Sequence, residues 1–180
     1  METVVVDGYN VIHAWPELKA ELNRGPLEAS RRRLIALLSE YAAVRNVRVT
    51  VVFDGPRTAT GPEVEVIDGV SVRFSGRSGS ADHLIERIAY EAAQAGDMVT
   101  VATNDRLQRD IVRAIGGVTM DATSFEREVR AALAETSEGV TRLHEGARLT
   151  HRVEDAIPSD VAKQLDAIRR GVPPDDAPDV

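Results

Sequence analysis

The chain has 180 residues, 43% of them apolar, with a formal net charge of −7 and no cysteine. This length suits one α/β domain with a short appendage and a sizeable core, and the absence of cysteine excludes disulfides, thiolate metal sites and a cysteine nucleophile. No apolar run reaches the length of a membrane span, and the N-terminal residues read as a strand and turn rather than a secretory leader, so a cytoplasmic protein with no membrane partner is expected.

Thr3-Val-Val-Val-Asp7 opens the chain. A short β-branched run without alternation reads as a strand buried on both faces, the mark of a parallel sheet flanked by helices. A polar turn, Asp7-Gly-Tyr-Asn10, follows, then Val11–Trp15 and a short helix started by Pro16 and broken at Asn23-Arg-Gly-Pro26. From Leu27 to Val44, Leu34, Leu37, Leu38 and Tyr41 recur at helical spacing. Val47–Phe53 is the second strand and ends on Asp54; Val64–Ile67 and Val70–Phe74 form a hairpin around Asp68-Gly69. After the loop Ser75-Gly-Arg-Ser-Gly79, Ser80 is placed to cap a helix from Ala81 to about Ala95, closed by Gly96.

Met98–Ala102 is the third long strand and leads into Thr103-Asn104-Asp105. Asn104 to Ile115 reads as a helix, Val118–Met120 as a brief strand, and Thr123 or Ser124 as the cap of a helix through about Glu135. Pro158 to Arg170 is one more amphipathic segment, and the Pro- and Asp-rich end reads as disordered. The expected organisation is a domain over 1–136, a helical extension of it over 137–171 and a tail over 172–180. The order of elements indicates α/β with a mainly parallel central sheet.

Three of the apolar runs thus end on or just before an acid: Asp7, Asp54 and Asp105. Ligands of such sheets sit at the carboxyl ends of the strands. If the three strands are neighbours, their carboxylates crowd one edge, and the usual remedy for that repulsion is a divalent cation. Oxygen donors favour Mg²⁺ or Mn²⁺. Asp82, in the first turn of its helix, has a dipole to hold it ionised, with Glu86 one turn on as an outer ligand or a partner for Arg87. Asn10 can orient a water, a carboxylate or a phosphate.

Each of these residues also has an ordinary structural use. Asp, Gly and Asn are what turns employ, Asp54 can simply begin one, and Thr103 or Asn104 can cap a helix with Asp105 as its first-turn acid. Arg31-Arg32-Arg33, Arg73 and Arg77 are candidate phosphate contacts or solvated surface. Tyr9 and Trp15 are placed to stack on a base, with core packing the stronger reading for Trp15. There is no G-x-G-x-x-G after the first strand, so no dinucleotide cofactor is expected, and no P-loop or G-x-S-x-G elbow. The four histidines show no metal-ligand spacing.

The spaced set V-V-D7-G-Y-N10-V-I-H-A-W, V-V-F-D54-G, S80-A-D82-x3-E86, V-x-T103-N-D105 and L-D-A-I-R-R-G171 resembles the YacP-like NYN-domain family of the PIN-like ribonuclease group, over roughly residues 1–171. The resemblance implies a PIN-like three-layer α/β/α sandwich and a Mg²⁺- or Mn²⁺-dependent endoribonuclease. It implies single-stranded RNA as substrate, with messenger RNA at the ribosome as one setting. It also implies Asp7, Asp82 and Asp105 as metal-binding acids, Asp54 as a further one, and Asn10, Ser80, Thr103 and Asn104 in support. Arg31 and Arg77 would meet the RNA backbone. The competing expectations are a non-catalytic RNA- or ribosome-binding module of the same fold and a small-molecule phosphohydrolase.

Overall fold

In the computed structural model the described residues are 1–55, 63–76 and 79–135, all within the compact unit Met1–Thr136. The chain runs β1 (Glu2–Asp7), α1 (Gly8–Ala14), α2 (Pro16–Arg24), α3 (Leu27–Arg45), β2 (Arg48–Asp54), β3 (Glu63–Ile67), β4 (Val70–Ser75), α4 (Ala81–Gln94), β5 (Met98–Ala102), α5 (Arg106–Ala114) and β6 (Val118–Met120). A last helix, α6, is described over 122–135. The expected extension over 137–171, with its helix at 158–170, and the tail over 172–180 lie outside the described residues.

One six-stranded sheet has the order β3-β4-β2-β1-β5-β6. All pairings are parallel except β3 with β4, which form the expected hairpin around Asp68-Gly69. Both turn residues have positive φ, 47° and 83°, as a two-residue hairpin loop requires. The three acid-tipped runs are the adjacent strands β2-β1-β5.

Their lack of alternation follows from helices on both faces of the sheet. Val4 and Val6 enter a core with Ile12, Trp15, Leu34, Leu38 and Phe125, while Val5 enters a second core with Leu84, Ile85, Ile88 and Val112. With α1, α2, α3 and α6 on one side and α4 and α5 on the other, the fold is the expected three-layer α/β/α sandwich with a mainly parallel sheet.

Several local expectations need correction. Asp7-Gly-Tyr-Asn10 is not a free turn: Asp7 caps α1, its Oδ1 accepting the Asn10 N–H at 3.1 Å. Turns and helix caps share this local bond; burial of Val11 and Ile12 is what carries the chain on into a helix here. α5 is capped by Asp105 and α6 by Asp121, not by the hydroxyl and amide residues beside them. An ionised carboxylate makes the stronger, charge-assisted cap. Trp15, in contrast, is in the core as expected, 1% exposed, and its Nε1 donates to the Ala122 carbonyl at 2.8 Å. No helix among the described residues is long and apolar enough to cross a membrane.

The link from β1 to α1 depends on close approach. A Cβ on Gly8 would stand 2.2 Å from Phe53 Cε1, and the Phe53 ring is fully buried. Gly8→Ala must therefore displace a packed aromatic, which costs about 1–3 kcal/mol. The expected result is a lower urea midpoint with an unchanged slope. A variant as stable as the parent would show that the ring has room to move.

Candidate functional site

The register sets the acids in line. Asp7 pairs with Val52 across β1 and β2, and Val6 pairs with Ala102 across β1 and β5. Asp54 thus projects two residues beyond Asp7 on one side, and Thr103-Asn104-Asp105 leaves the sheet on the other. Asp7 is 5% exposed. Its Oδ1 and Oδ2 accept from the Asn10 backbone N–H at 3.1 Å and the Asn10 Nδ2 at 2.5 Å. Burial pushes the Asp7 carboxyl above its usual range; the Asn10 bonds pull it down, and the charges of Asp82 and Asp54 push it up again.

Asp54 ties three elements together. Its Oδ1 accepts from Ser75 Oγ at 3.1 Å and from the Ala81 N–H, the first of α4, at 2.9 Å. Asp82 follows in the first turn of that helix. Ser80 caps α4, its Oγ accepting the His83 N–H at 3.4 Å and lying 2.9 Å from His83 Nδ1. A cleft of about 150 Å³ beside it is lined by Ser75, Ser80, His83, Leu84 and Arg87 together with Gly76 and Gly79.

On the β5 side, Thr103 is fully buried and its Oγ1 accepts the Asp105 N–H at 3.1 Å. Asn104 Oδ1 accepts the Ala122 N–H at 3.0 Å, linking this loop to α6. Asp105 Oδ1 accepts the Gln108 N–H at 3.1 Å, and the Gln108 side chain crosses to Asp82 Oδ1, again at 3.1 Å. Thr103 and Asn104 are therefore occupied in shaping the loop; Asp82 and Asp105, each with one oxygen in these bonds, are exposed, as is Asn104.

Two polar residues at the site escaped the sequence reading, Ser75 and Gln108. Ser75 sits at the end of a strand where nothing in the pattern sets a serine apart. Gln108 did carry a signal, the Asp-x-x-Gln spacing of a capping box.

The arginines divide. Arg31 lies against the rings of Tyr9, Phe53 and Phe74, its Cζ 5.2–5.5 Å from their centroids, and bonds the Tyr9 hydroxyl. Its side chain is only 20% exposed. Tyr9 is thereby an edge-on partner of Phe53 and Arg31 rather than an open stacking platform. Arg32 and Arg33 pair with Glu28 and Glu17 on the surface, Arg113 with Asp110, and Arg87 with Glu91 rather than Glu86. Arg77 lies outside the described residues.

The donors gathered here are carboxylate and amide oxygens, which suit a hard divalent cation. The repulsion that Asp82 and Asp54 exert on buried Asp7 is the kind a cation offsets. Among the described residues, no three acidic or histidine side chains stand close enough to surround an ion as they lie. The donor chemistry fits Mg²⁺ or Mn²⁺, and the acids would have to draw together around it.

Comparison with known proteins agrees with this architecture. Residues 4–170 match the model of the YacP-like NYN domain. The uncharacterized protein YacP of Bacillus subtilis (strain 168) is 33% identical over 129 residues, covering 72% of this chain and 75% of the relative. The crystal structure of Rae1 (YacP) from Bacillus subtilis matches with a TM-score of 0.68 at 27% identity, over 95% of this chain and 96% of that one. A single-substitution mutant of the same protein gives 0.68 at 28% identity, over 93% and 99%. The strand order, the acid-lined edge and these matches lead to one conclusion: the chain belongs to the YacP-like NYN domain family and has its nuclease-like α/β fold.

Proposed function

We propose that this protein is a divalent-metal-dependent endoribonuclease that cleaves single-stranded RNA. The observation that carries the reading is the adjacency of β2, β1 and β5, which brings Asp54, Asp7 and Asp105 to one sheet edge with Asp82 at the start of α4. Asp7, Asp82 and Asp105 would hold Mg²⁺ or Mn²⁺, with Asp54 tying the edge to α4. The chemistry supplied by the bound metal is acidification of a water and neutralisation of charge on the phosphodiester oxygens. Asn10 holds the Asp7 carboxylate in a fixed orientation. Thr103 and Asn104 hold the loop that presents Asp105. Ser80 shapes the start of α4, and Arg31 and Arg77 offer positive charge to the RNA backbone.

A net charge of −7 opposes tight, unassisted RNA binding. The charge is compatible with RNA delivered by a larger partner, and the family resemblance alone suggests messenger RNA at the ribosome, in the cytoplasm, as the setting. The second reading is a non-catalytic RNA- or ribosome-binding module of the same fold.

Cleavage of a labelled single-stranded RNA in Mn²⁺ or EDTA, with and without ribosomes, separates the two. The nuclease reading expects cutting that EDTA abolishes and that Asp7→Asn reduces on the order of 100-fold or more. Binding without cutting under every condition would establish the module instead. Release of inorganic phosphate from small esters, with RNA intact, would point to a phosphohydrolase.

Asp7 also gives a stability prediction for the metal-free protein. Its carboxyl is raised in the folded state, so its contribution to stability is full below the unfolded value and is lost as pH rises through the folded one. Asp7→Asn, which cannot ionise, should melt higher than the parent at pH 7. The gap should close as pH falls toward about 4. A variant that melts lower at pH 7 would mean that the Asn10 bonds outweigh the burial of the charge.

A further inference from the structure

Gln108 is the one fully buried polar side chain of α5, 2% exposed, while Arg106, Asp110 and Arg113 of the same helix face solvent. Its position three residues after the Asp105 cap is where a capping-box glutamine turns back to the cap residue's N–H. Here that N–H is taken by Thr103 Oγ1 at 3.1 Å. The carboxamide instead crosses between helices and donates Nε2–H to Asp82 Oδ1 at 3.1 Å, as the Gln108 backbone N–H donates to Asp105 Oδ1 at the same distance. The cross-helix bond leaves Gln108 Oε1 buried with no hydrogen-bond partner among the described residues.

A buried, unpaired amide oxygen opposes folding, and an apolar side chain of the same volume would fill the space without it. Packing therefore does not account for an amide at this position. The bond to Asp82 does: it holds a carboxylate that is otherwise exposed in the first turn of α4.

We propose that Gln108 is a positioning residue that joins Asp82 and Asp105, from two different helices, into one oriented pair of oxygen donors for the divalent cation. The proposal rests on the metal-site reading above. It explains why the protein keeps a side chain that its core would exchange for methionine. Such residues behind a ligand typically change metal affinity or activity by about 10- to 100-fold.

The test is Mn²⁺ binding to the full-length chain, followed by EPR of the free ion, beside thermal melting and RNA cleavage. Gln108→Met should melt at or above the parent in the absence of metal. It should bind Mn²⁺ about tenfold more weakly and lose kcat with little change in KM for RNA. Gln108→Leu serves as a second apolar variant. Because the residue acts through Asp82, adding Gln108→Met to Asp82→Asn should weaken Mn²⁺ binding no further.

Mn²⁺ affinity within about twofold of the parent in either apolar variant, or additive losses in the double variant, would overturn the positioning role. Failure of that role is separable from failure of the site itself. If the parent binds no Mn²⁺, or Asp7→Asn binds it as well as the parent, the metal-site reading falls and takes this proposal with it. If Asp7→Asn loses binding while Gln108→Met keeps it, only the proposal falls.

Discussion

The Asp7 carboxylate lies at the end of a strand whose last five residues are all buried, and much of the surrounding structure manages the consequence. A carboxylate taken out of water favours its neutral form. Two hydrogen bonds from Asn10 work against that tendency, and the nearby charges of Asp82 and Asp54 work with it. The strand cannot be moved outward to relieve the acid, because Val4, Val5 and Val6 are locked between two helix layers. The acid is therefore held in a place where it repels its neighbours, a repulsion that the proposed cation would offset.

The same economy recurs around the edge. Asp7 caps α1, Asp105 caps α5, and Asp54 accepts the first N–H of α4, in whose first turn Asp82 lies. Helix starts favour negative charge, by a fraction of a kcal/mol to about 1 kcal/mol each at exposed positions. Three helices beginning near one sheet edge thus offset part of the repulsion that Asp82 and Asp54 exert on Asp7. Asp7, Asp54 and Asp105 are also tied to the fold through N–H groups at helix starts, whereas Asp82 is held by the Gln108 side chain. Folding and site geometry are coupled as a result: a change that removes the accepting oxygen of Asp7, Asp54 or Asp105 frays a helix as well as altering charge.

Hydrogen bonds link the two halves of the site without passing through the sheet. Ser75 fixes Asp54 to β4 and the Ala81 N–H fixes it to α4, Gln108 fixes α4 to α5, and Asn104 fixes the β5 loop to α6. Of the candidate residues read from the sequence, Asp54 and Asn104 serve this framework most directly. Arg31 adds to it from the other side, where its packing on Tyr9, Phe53 and Phe74 steadies the start of α1, which carries Asn10.

The sandwich was legible in the residues themselves. Runs such as Val4-Val5-Val6 and Val49–Phe53 have no polar face, so they require cover on both sides, and the helical spacing of Leu34, Leu37, Leu38 and Tyr41 supplies part of it. The acids were legible too, because strand ends and helix starts are local features. Which element captured each polar group was settled only by packing in three dimensions. Asp7-Gly-Tyr-Asn10 has the same local bond as a turn or as a helix cap, and burial of Val11 and Ile12 chose between them. The Asp105-x-x-Gln108 spacing matches a local capping box, yet the glutamine bonds Asp82, 26 residues earlier in the chain. The packing of α4 beside α5 creates that contact, and residue spacing holds no record of a distance that only two packed helices define.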